Sequence, residues 1–190
     1  MNGLFAAEVL MKNIYRFSML VGFVLFLSAC VVGGRGKPTI ISDFADTHGR
    51  SGAHAGVDFV GNSTILAAAD GIVYTVRTPN FNTGCGGQII IWHIEKARFT
   101  AYCHLSSIDV EEGSLVRRGE VIGQMGDTGS GNWPVHLHFE VNSVGKSHED
   151  GVLWEGKSLE NPSKYIVGCF DPSATYPENE FVLTYPVSCD

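Results

Sequence analysis

The sequence predicts a single all-β domain, built as a glycine-rich antiparallel β-sheet. Short β-branched and apolar runs recur along the chain, as at residues 72–76 and 88–94. Turn residues separate these runs, and 23 glycines among 190 residues suit a fold with many tight turns and bulges. No amphipathic helix of ordinary length follows the N-terminal region, and the length suffices for one well-buried domain.

Composition excludes several classes of protein. Hydrophobic residues make up 44% of the chain and charged residues 17%, which is typical of a globular protein rather than a disordered one. The formal net charge is −7, so we expect neither nucleic acid nor an anionic membrane surface as an electrostatic partner.

The N-terminal residues predict export. Lys12 and Arg16 precede an apolar run at residues 17–27, and small residues then lead to Cys30. This is the layout of a signal peptide over residues 1–29, because the run is too short to span a bilayer as a stable helix. The first ten residues contain no positive charge, so either Met1 or Met11 is the start.

The end of this segment also predicts a membrane anchor. The order Leu-Ser-Ala-Cys ending at Cys30 resembles a bacterial lipobox, in which the cysteine is acylated and becomes the mature N-terminus. The alternative is an ordinary signal peptide with a chance cysteine at its end. Residues 30–38 are short and glycine-rich, and we interpret them as a tether.

Strand signals follow in order along the mature chain. A first strand begins at residues 39–41, and a polar loop occupies residues 46–52. Residues 64–77 predict two strands joined by a turn at Asp70-Gly71, and residues 88–94 predict a buried strand that pairs with residues 99–104. Short strands between glycines are expected over residues 113–129, and an irregular tail is expected near the C-terminus.

Four cysteines remain after Cys30, at positions 85, 103, 169 and 189. Export and an even count indicate disulfides, for which three connectivities are possible. We favour Cys85 with Cys103 and Cys169 with Cys189, because each pair joins neighbours in sequence. The alternative is that some are buried free thiols. No CxxC spacing indicates a cysteine metal site.

The strongest functional signal is the alternating stretch at residues 136–141. His136, His138 and Glu140 share one face of this predicted strand, and the apolar residues between them share the other. Two imidazoles side by side on the polar face of an anchored strand predict the floor of a metal site.

Two further segments supply partners for this pair. His54 and Asp58 lie four residues apart and share a face of an extended segment, with Gly56 between them leaving room for a metal or substrate. His104 is predicted on the same strand face as Thr100 and Tyr102, and we expect that face to join the same polar surface.

This set of residues suits a catalytic zinc site. Such a site needs three protein ligands and an open fourth position, and it lowers the pKa of a bound water to about 7. His54, Asp58 and one histidine of the His136/His138 pair satisfy that need, although periodicity alone does not decide which one. The remaining histidine and His104 suit proton transfer or stabilisation of an oxyanion.

Three motifs carry a resemblance to a known family: His54-x-Gly-x-Asp58, Tyr102-x-His104-Leu105 and His136-x-His138-Phe139-Glu140. With the glycine-rich spacer at residues 121–129, they resemble the LytM-type zinc metallopeptidases (peptidase family M23, the lysostaphin and murein endopeptidase group) over residues 40–162. The resemblance implies a domain at residues 39–168 and a tail at 169–190. It also implies that His54, Asp58 and His138 bind Zn²⁺ and that His104 and His136 are catalytic.

The resemblance further implies a zinc metalloendopeptidase that cleaves peptide cross-links of bacterial peptidoglycan. We expect a monomer, held on the periplasmic side of a Gram-negative outer membrane by lipidated Cys30, with a D-alanyl–diaminopimelate bond as the preferred target. One alternative is a non-catalytic module that binds peptidoglycan or activates an amidase, and another is a carboxypeptidase of related metal geometry. The five intact site residues favour the endopeptidase.

Several nearby residues have two interpretations. Glu140 either orients a ligating imidazole or is an exposed strand carboxylate. Tyr102 either contacts substrate or simply packs, and His93 is expected to pack or form hydrogen bonds. Family members often have a different loop before the His-x-His strand, so Trp133 and Pro134 are expected to reshape the substrate groove.

Overall fold

The computed structural model describes residues 36–143 and 159–189. Within them the chain forms β-strands and two short 3₁₀ turns, Ile94–Lys96 and Pro162–Lys164. The strands are β1 (Thr39–Ser42), β2 (Val57–Val60), β3 (Thr64–Leu66), β4 (Gly71–Arg77), β5 (Gly87–His93), β6 (Arg98–Ile108), β7 (Leu115–Val116), β8 (Val121–Met125), β9 (Leu137–Ser143), β10 (Leu159–Glu160), β11 (Ile166–Gly168) and β12 (Leu183–Thr184).

The N-terminal predictions fall outside this part of the chain. The signal peptide at residues 1–29, Cys30 and most of the tether are not among the described residues. No helix within the described ranges is long and apolar enough to cross a membrane.

Of the strands in the described ranges, ten form one antiparallel sheet, which confirms the predicted fold class. Its main path runs β1-β2-β9-β6-β5-β4-β7, while β10 pairs with β9, and β8 pairs with both β3 and β6. The predicted hairpin over residues 88–104 is confirmed as β5 and β6. A separate pair, β11 with β12, is parallel.

The register of the three central strands decides what can meet on the sheet. On β2, Asp58 lies directly opposite His138 of β9, and His138 in turn lies opposite Cys103 of β6. Directly opposite residues project from the same face of an antiparallel pair. Residues from β2, β9 and β6 therefore share one face at this point.

The opposite face of the same strands lies on the main hydrophobic core. The predicted alternation on β9 and β2 is confirmed, because Leu137, Phe139, Val57 and Phe59 are completely buried. This burial anchors the strands that carry the polar residues, at roughly 25 cal/mol for each Å² of apolar surface removed from water.

The predicted pairing of the two strands within residues 64–77 is wrong. Both strands exist, but β3 pairs with β8, whereas β4 pairs with β5 and β7. The reason lies in the connection, where Ala67 donates its N–H to Glu120 and accepts one from Gly119. These hydrogen bonds, and the burial of three consecutive alanines, carry the chain through the core instead of turning it back on itself.

The C-terminal segment is largely irregular, as predicted, but its last part is packed. Leu183 and Val187 are fully buried in the main core, and Val187 forms a β-bridge with Ile65. Both favoured disulfides are present, Cys85–Cys103 and Cys169–Cys189. The division at residues 168 and 169 stays a prediction.

Candidate metal centre

Three side chains, from a loop and two neighbouring strands, converge on one point. The loop before β2 places His54, β2 places Asp58, and β9 places His138. His54 Nε2 lies 3.0 Å from Asp58 Oδ1 and 3.0 Å from His138 Nδ1, and that Nδ1 lies 2.8 Å from the same carboxylate oxygen. Three potential donors therefore form a compact triangle.

Gly56 has a different role from the one predicted. A Cβ atom at this position would lie 2.3 Å from the carbonyl oxygen of Phe139. The missing side chain therefore makes room for the backbone of β9 and not for a metal or substrate. It lets β2 and β9 approach closely enough to bring Asp58 and His138 together.

The second ring nitrogen of each imidazole fixes its orientation. His54 donates from Nδ1 to the carbonyl of Asp43 at 2.8 Å, which directs Nε2 to the centre of the triangle. His138 donates from Nε2 to Glu140 Oε1 at 2.9 Å, so its Nδ1 faces the centre. Glu140 is buried, and its interpretation as an exposed strand carboxylate is wrong.

The geometry and chemistry of this triangle fit a zinc ion. Ligands about 2.0–2.1 Å from a tetrahedral zinc lie about 3.3–3.4 Å from one another, slightly more than the separations found here. Two imidazole nitrogens and one carboxylate oxygen are also donors that zinc accepts. His54, Asp58 and His138 are thus the described residues that could hold such an ion.

Mutual hydrogen bonding dominates the electrostatics of the centre. Burial acts to raise the pKa of Asp58, but hydrogen bonds from His138 and His54 outweigh it and hold the pKa far below its ordinary value. Burial acts to lower the pKa of His138, but hydrogen bonds to Asp58 and Glu140 outweigh it and raise the pKa to about 9.

Arg50 is a neighbour of the centre that the sequence did not indicate. Its Nη2 lies 2.9 Å from Asp58 Oδ2, on the carboxylate oxygen that faces away from the two imidazoles. The same nitrogen donates to Ser42 Oγ at 3.1 Å. Nothing in the spacing of the sequence separates this arginine from any other loop arginine.

A β-bulge brings His104 to the same face. Gly87 of β5 lies opposite Leu105 of β6, whereas Ile89 lies opposite Tyr102, so two residues of β6 occupy the place of one. His104 has a left-handed backbone, with φ at 67°. The strand alternation breaks there, and His104 turns toward the face that carries His138.

The predicted location of His104 is therefore right for the wrong reason. Thr100 and Tyr102 do not share the polar face with it, because both are completely buried. The hydroxyl of Tyr102 accepts a hydrogen bond from the N–H of Ala68 at 2.9 Å, and burial raises its pKa to about 12. Tyr102 thus packs in the core and has no exposed surface for substrate.

His104 and His136 present matching nitrogens to the centre. His104 donates from Nδ1 to the carbonyl of Thr128 and His136 donates from Nδ1 to the carbonyl of Pro134, both at 2.7 Å. Their ring centroids lie 4.6 Å apart, and His136 Nε2 lies 3.8 Å from Asp58 Oδ1. Burial lowers the pKa of His104 to about 4, so its Nε2 is a proton acceptor at neutral pH.

A groove opens beside these imidazoles. Its volume is about 390 Å³, and its lining includes His104, His138 and Trp133. The Trp133 side chain covers Gly131, and its indole lies 6.2 Å from the His104 ring. The loop before β9 therefore forms one wall, in keeping with the expectation that Trp133 shapes the groove.

Neither of the other two histidines that the structure describes is among the residues that line the groove. His93 is buried, donates from Nδ1 to the carbonyl of Asp70 at 2.7 Å and bonds Thr100 through Nε2. Burial lowers its pKa to about 4, which confirms a packing and hydrogen-bonding role. His48 lies exposed in a loop, and His148 is outside the described ranges.

Comparison with known proteins identifies the family. Residues 52–150, more than half of the chain, match peptidase family M23. The chain belongs to that family. The M23 chain is similar in structure to the catalytic domain of the antimicrobial peptidase lysostaphin from Staphylococcus simulans, with a TM-score of 0.53 and 25% identity over 67% of this chain and 90% of that one.

Two proteins that are similar to this chain in sequence are named for different roles. The peptidoglycan DD-endopeptidase ShyC of Vibrio cholerae is 35% identical over 120 residues, which cover 61% of this chain and 27% of that protein. The murein hydrolase activator NlpD of Escherichia coli is 38% identical over 105 residues, which cover 54% and 26%. The chain thus matches about a quarter of the length of each, and the relatives include both an enzyme and an activator.

Proposed function

We propose that this M23 protein is a zinc-dependent endopeptidase that hydrolyses peptide cross-links of bacterial peptidoglycan. The observation that carries the proposal is the convergence of five side chains. His54, Asp58 and His138 form a triangle of donors that fits zinc, and the two other imidazoles face it. A module that only binds or activates a partner has no need of this complete set.

The roles of the residues follow from their orientation. Zinc held by the three ligands would supply Lewis acidity and lower the pKa of a water molecule. His104 and His136 each keep Nδ1 on a backbone carbonyl, so each offers Nε2 to the reaction. One takes a proton from the attacking water and returns it to the leaving amine, while the other stabilises the charge that develops on the carbonyl oxygen.

The remaining parts of the proposal concern location. Relatives named for peptidoglycan and murein support a place in the cell envelope. We propose that the chain is exported as a monomer and anchored by lipidated Cys30 to the periplasmic side of an outer membrane. The apolar-small-small-Cys order ending at this residue supports the anchor.

The proposal is tested by digesting purified sacculi with the exported protein. We expect cross-linked muropeptide dimers to become monomers, a chelator to stop the reaction and zinc to restore it. His138→Ala should abolish both zinc binding and cleavage. His104→Ala should keep zinc while losing about 10²–10⁴-fold in rate, the usual contribution of general acid–base catalysis.

Other products would indicate the alternatives. If zinc-loaded protein leaves dimers intact but stimulates an amidase, the chain is an activator. If only terminal D-alanine is released, it is a carboxypeptidase. Retention of full cleavage by His104→Ala would remove that residue from the mechanism.

A further inference from the structure

The groove beside the metal centre has the opposite charge to the chain as a whole. The formal net charge of the protein is −7, yet Arg50 and Arg77 both line the groove, and none of the described residues that line it is acidic. A concave surface lined by one sign of charge attracts ligands of the other sign. This groove therefore favours an anionic substrate.

The two arginines differ in their availability. Arg50 is already paired with the carboxylate of Asp58. Arg77 is exposed, and none of the ion pairs found within the described residues includes it. Its backbone is held at the end of β4 by pairing with Gln88 of β5. Arg77 therefore offers a free guanidinium from a fixed strand.

A guanidinium in this groove could bind a free carboxylate that one class of peptide cross-link carries beside its scissile bond. Its planar fork of N–H donors binds carboxylates with two parallel hydrogen bonds. In a diaminopimelate cross-link, the carbon that bears the scissile nitrogen also bears a free carboxylate. In a lysine or glycine cross-link, the corresponding carbon bears none.

We propose that Arg77 binds this carboxylate and makes the groove selective for cross-links of the diaminopimelate class. The inference rests on the proposed endopeptidase function. The scissile nitrogen and the carboxylate share one carbon, so a single groove must receive both, and Arg77 lines the same groove as His104 and His138. Arg77 is then a specificity residue on the leaving-group side.

The contact between Arg77 and the carboxylate should affect KM and not kcat. The carboxylate is charged both in the bound substrate and in the transition state, so its contact with Arg77 stabilises both equally. Arg77→Gln should raise KM about tenfold and leave kcat unchanged, because a charge-assisted hydrogen bond in a partly exposed groove is lost. Zinc content should not change.

The test uses the exported protein and two cross-linked dimers. One carries the free carboxylate next to the scissile nitrogen, and the other carries the amide of that carboxylate. We expect the unmodified protein to prefer the free acid about tenfold in kcat/KM. Arg77→Gln should lose this preference because its kcat/KM falls on the free acid alone. Arg77→Lys should retain part of it, because charge remains without the fork.

Arg117→Gln is the matched control, since Arg117 is also an exposed arginine but does not line the groove. Equal cleavage of both dimers by the unmodified protein, or a preference that survives Arg77→Gln, would overturn the inference and leave the endopeptidase proposal intact. Failure to cleave either dimer would instead contradict the endopeptidase. The affinities of the two dimers, measured by calorimetry with the same variants, would then decide the role of Arg77.

Discussion

The orientation of His138 depends on a single buried neighbour. Three imidazoles at the site, those of His54, His104 and His136, use Nδ1 to bond a backbone carbonyl and present Nε2. His138 is reversed, because its Nε2 donates to Glu140 and its Nδ1 faces Asp58. A carboxylate acceptor fixes the tautomer of a ligating imidazole and makes it more basic.

Glu140→Gln should therefore weaken zinc binding without unfolding the protein. Glutamine still accepts a hydrogen bond from His138 but lacks the charge, so we expect a loss of about tenfold in zinc affinity, at the small end of the range for such partners. Competition with a chromophoric chelator measures the change. Glu111→Gln, at an exposed turn position, is the control, and an equal affinity in both variants would show that Glu140 does not support the ligand.

At the scale of elements, the site depends on an irregularity in β6. A regular strand would turn His104 toward the core together with Tyr102, whereas the bulge turns it to the face of His138. The bulge is held from β5 and from the loop before it. The N–H of His104 donates to the carbonyl of Cys85 at 2.8 Å, and a disulfide joins Cys85 to Cys103, the residue before His104.

The two disulfides should consequently differ in their effect on catalysis. They close loops of similar length, with separations of 18 and 20 residues, so loss of either should cost about 3 kcal/mol in the free energy of unfolding. Only the paired change Cys85→Ser and Cys103→Ser should also lower kcat, by about tenfold or more, because it releases His104 from its position.

Urea unfolding and cleavage rates, both measured well below the melting temperature, separate these effects. The paired change Cys169→Ser and Cys189→Ser serves as the control for general destabilisation. An equal fall in kcat for both pairs would show that the first disulfide has no particular role in placing His104.

At the scale of the whole molecule, the C-terminal segment belongs to the core that supports the site. Leu183 packs in the main hydrophobic cluster with residues such as Ile65 and Val73. Its neighbour Thr184 donates its N–H to the carbonyl of Ala68 at 2.9 Å. This segment therefore completes the same hydrophobic core on which the ligand-bearing strands β2 and β9 lie.

Leu183→Ala should destabilise the fold by about 3 kcal/mol, because it leaves a cavity in a buried cluster. Denaturant unfolding measures the change, and Val167→Ala, at an exposed position of β11, should cost far less. Equal stability of Leu183→Ala and the unmodified protein would contradict a supporting role for the C-terminal segment.

Much of this architecture follows from local patterns that the sequence displays directly. The alternation around His138, the separate strand that carries Asp58 and the hairpin over residues 88–104 are properties of side-chain order, since strand faces have a period of two. Neighbouring positions in sequence favoured the two disulfides that the structure contains, although three connectivities were possible. The association of the five site residues came from motifs that resemble a family, and not from periodicity.

Tertiary structure decided the features that the alternation of side chains along a strand does not reveal. The bulge at His104 arises from pairing between strands, the space at Gly56 is filled by a distant backbone, and the burial of Glu140 depends on the packing around β9. Only the folded chain shows that Arg50 and Arg77 line the same groove. Sequence by itself determined which groups the strands present, because that depends on neighbours along the chain, whereas distances between groups remote in sequence depend on register and packing, which only the folded chain establishes.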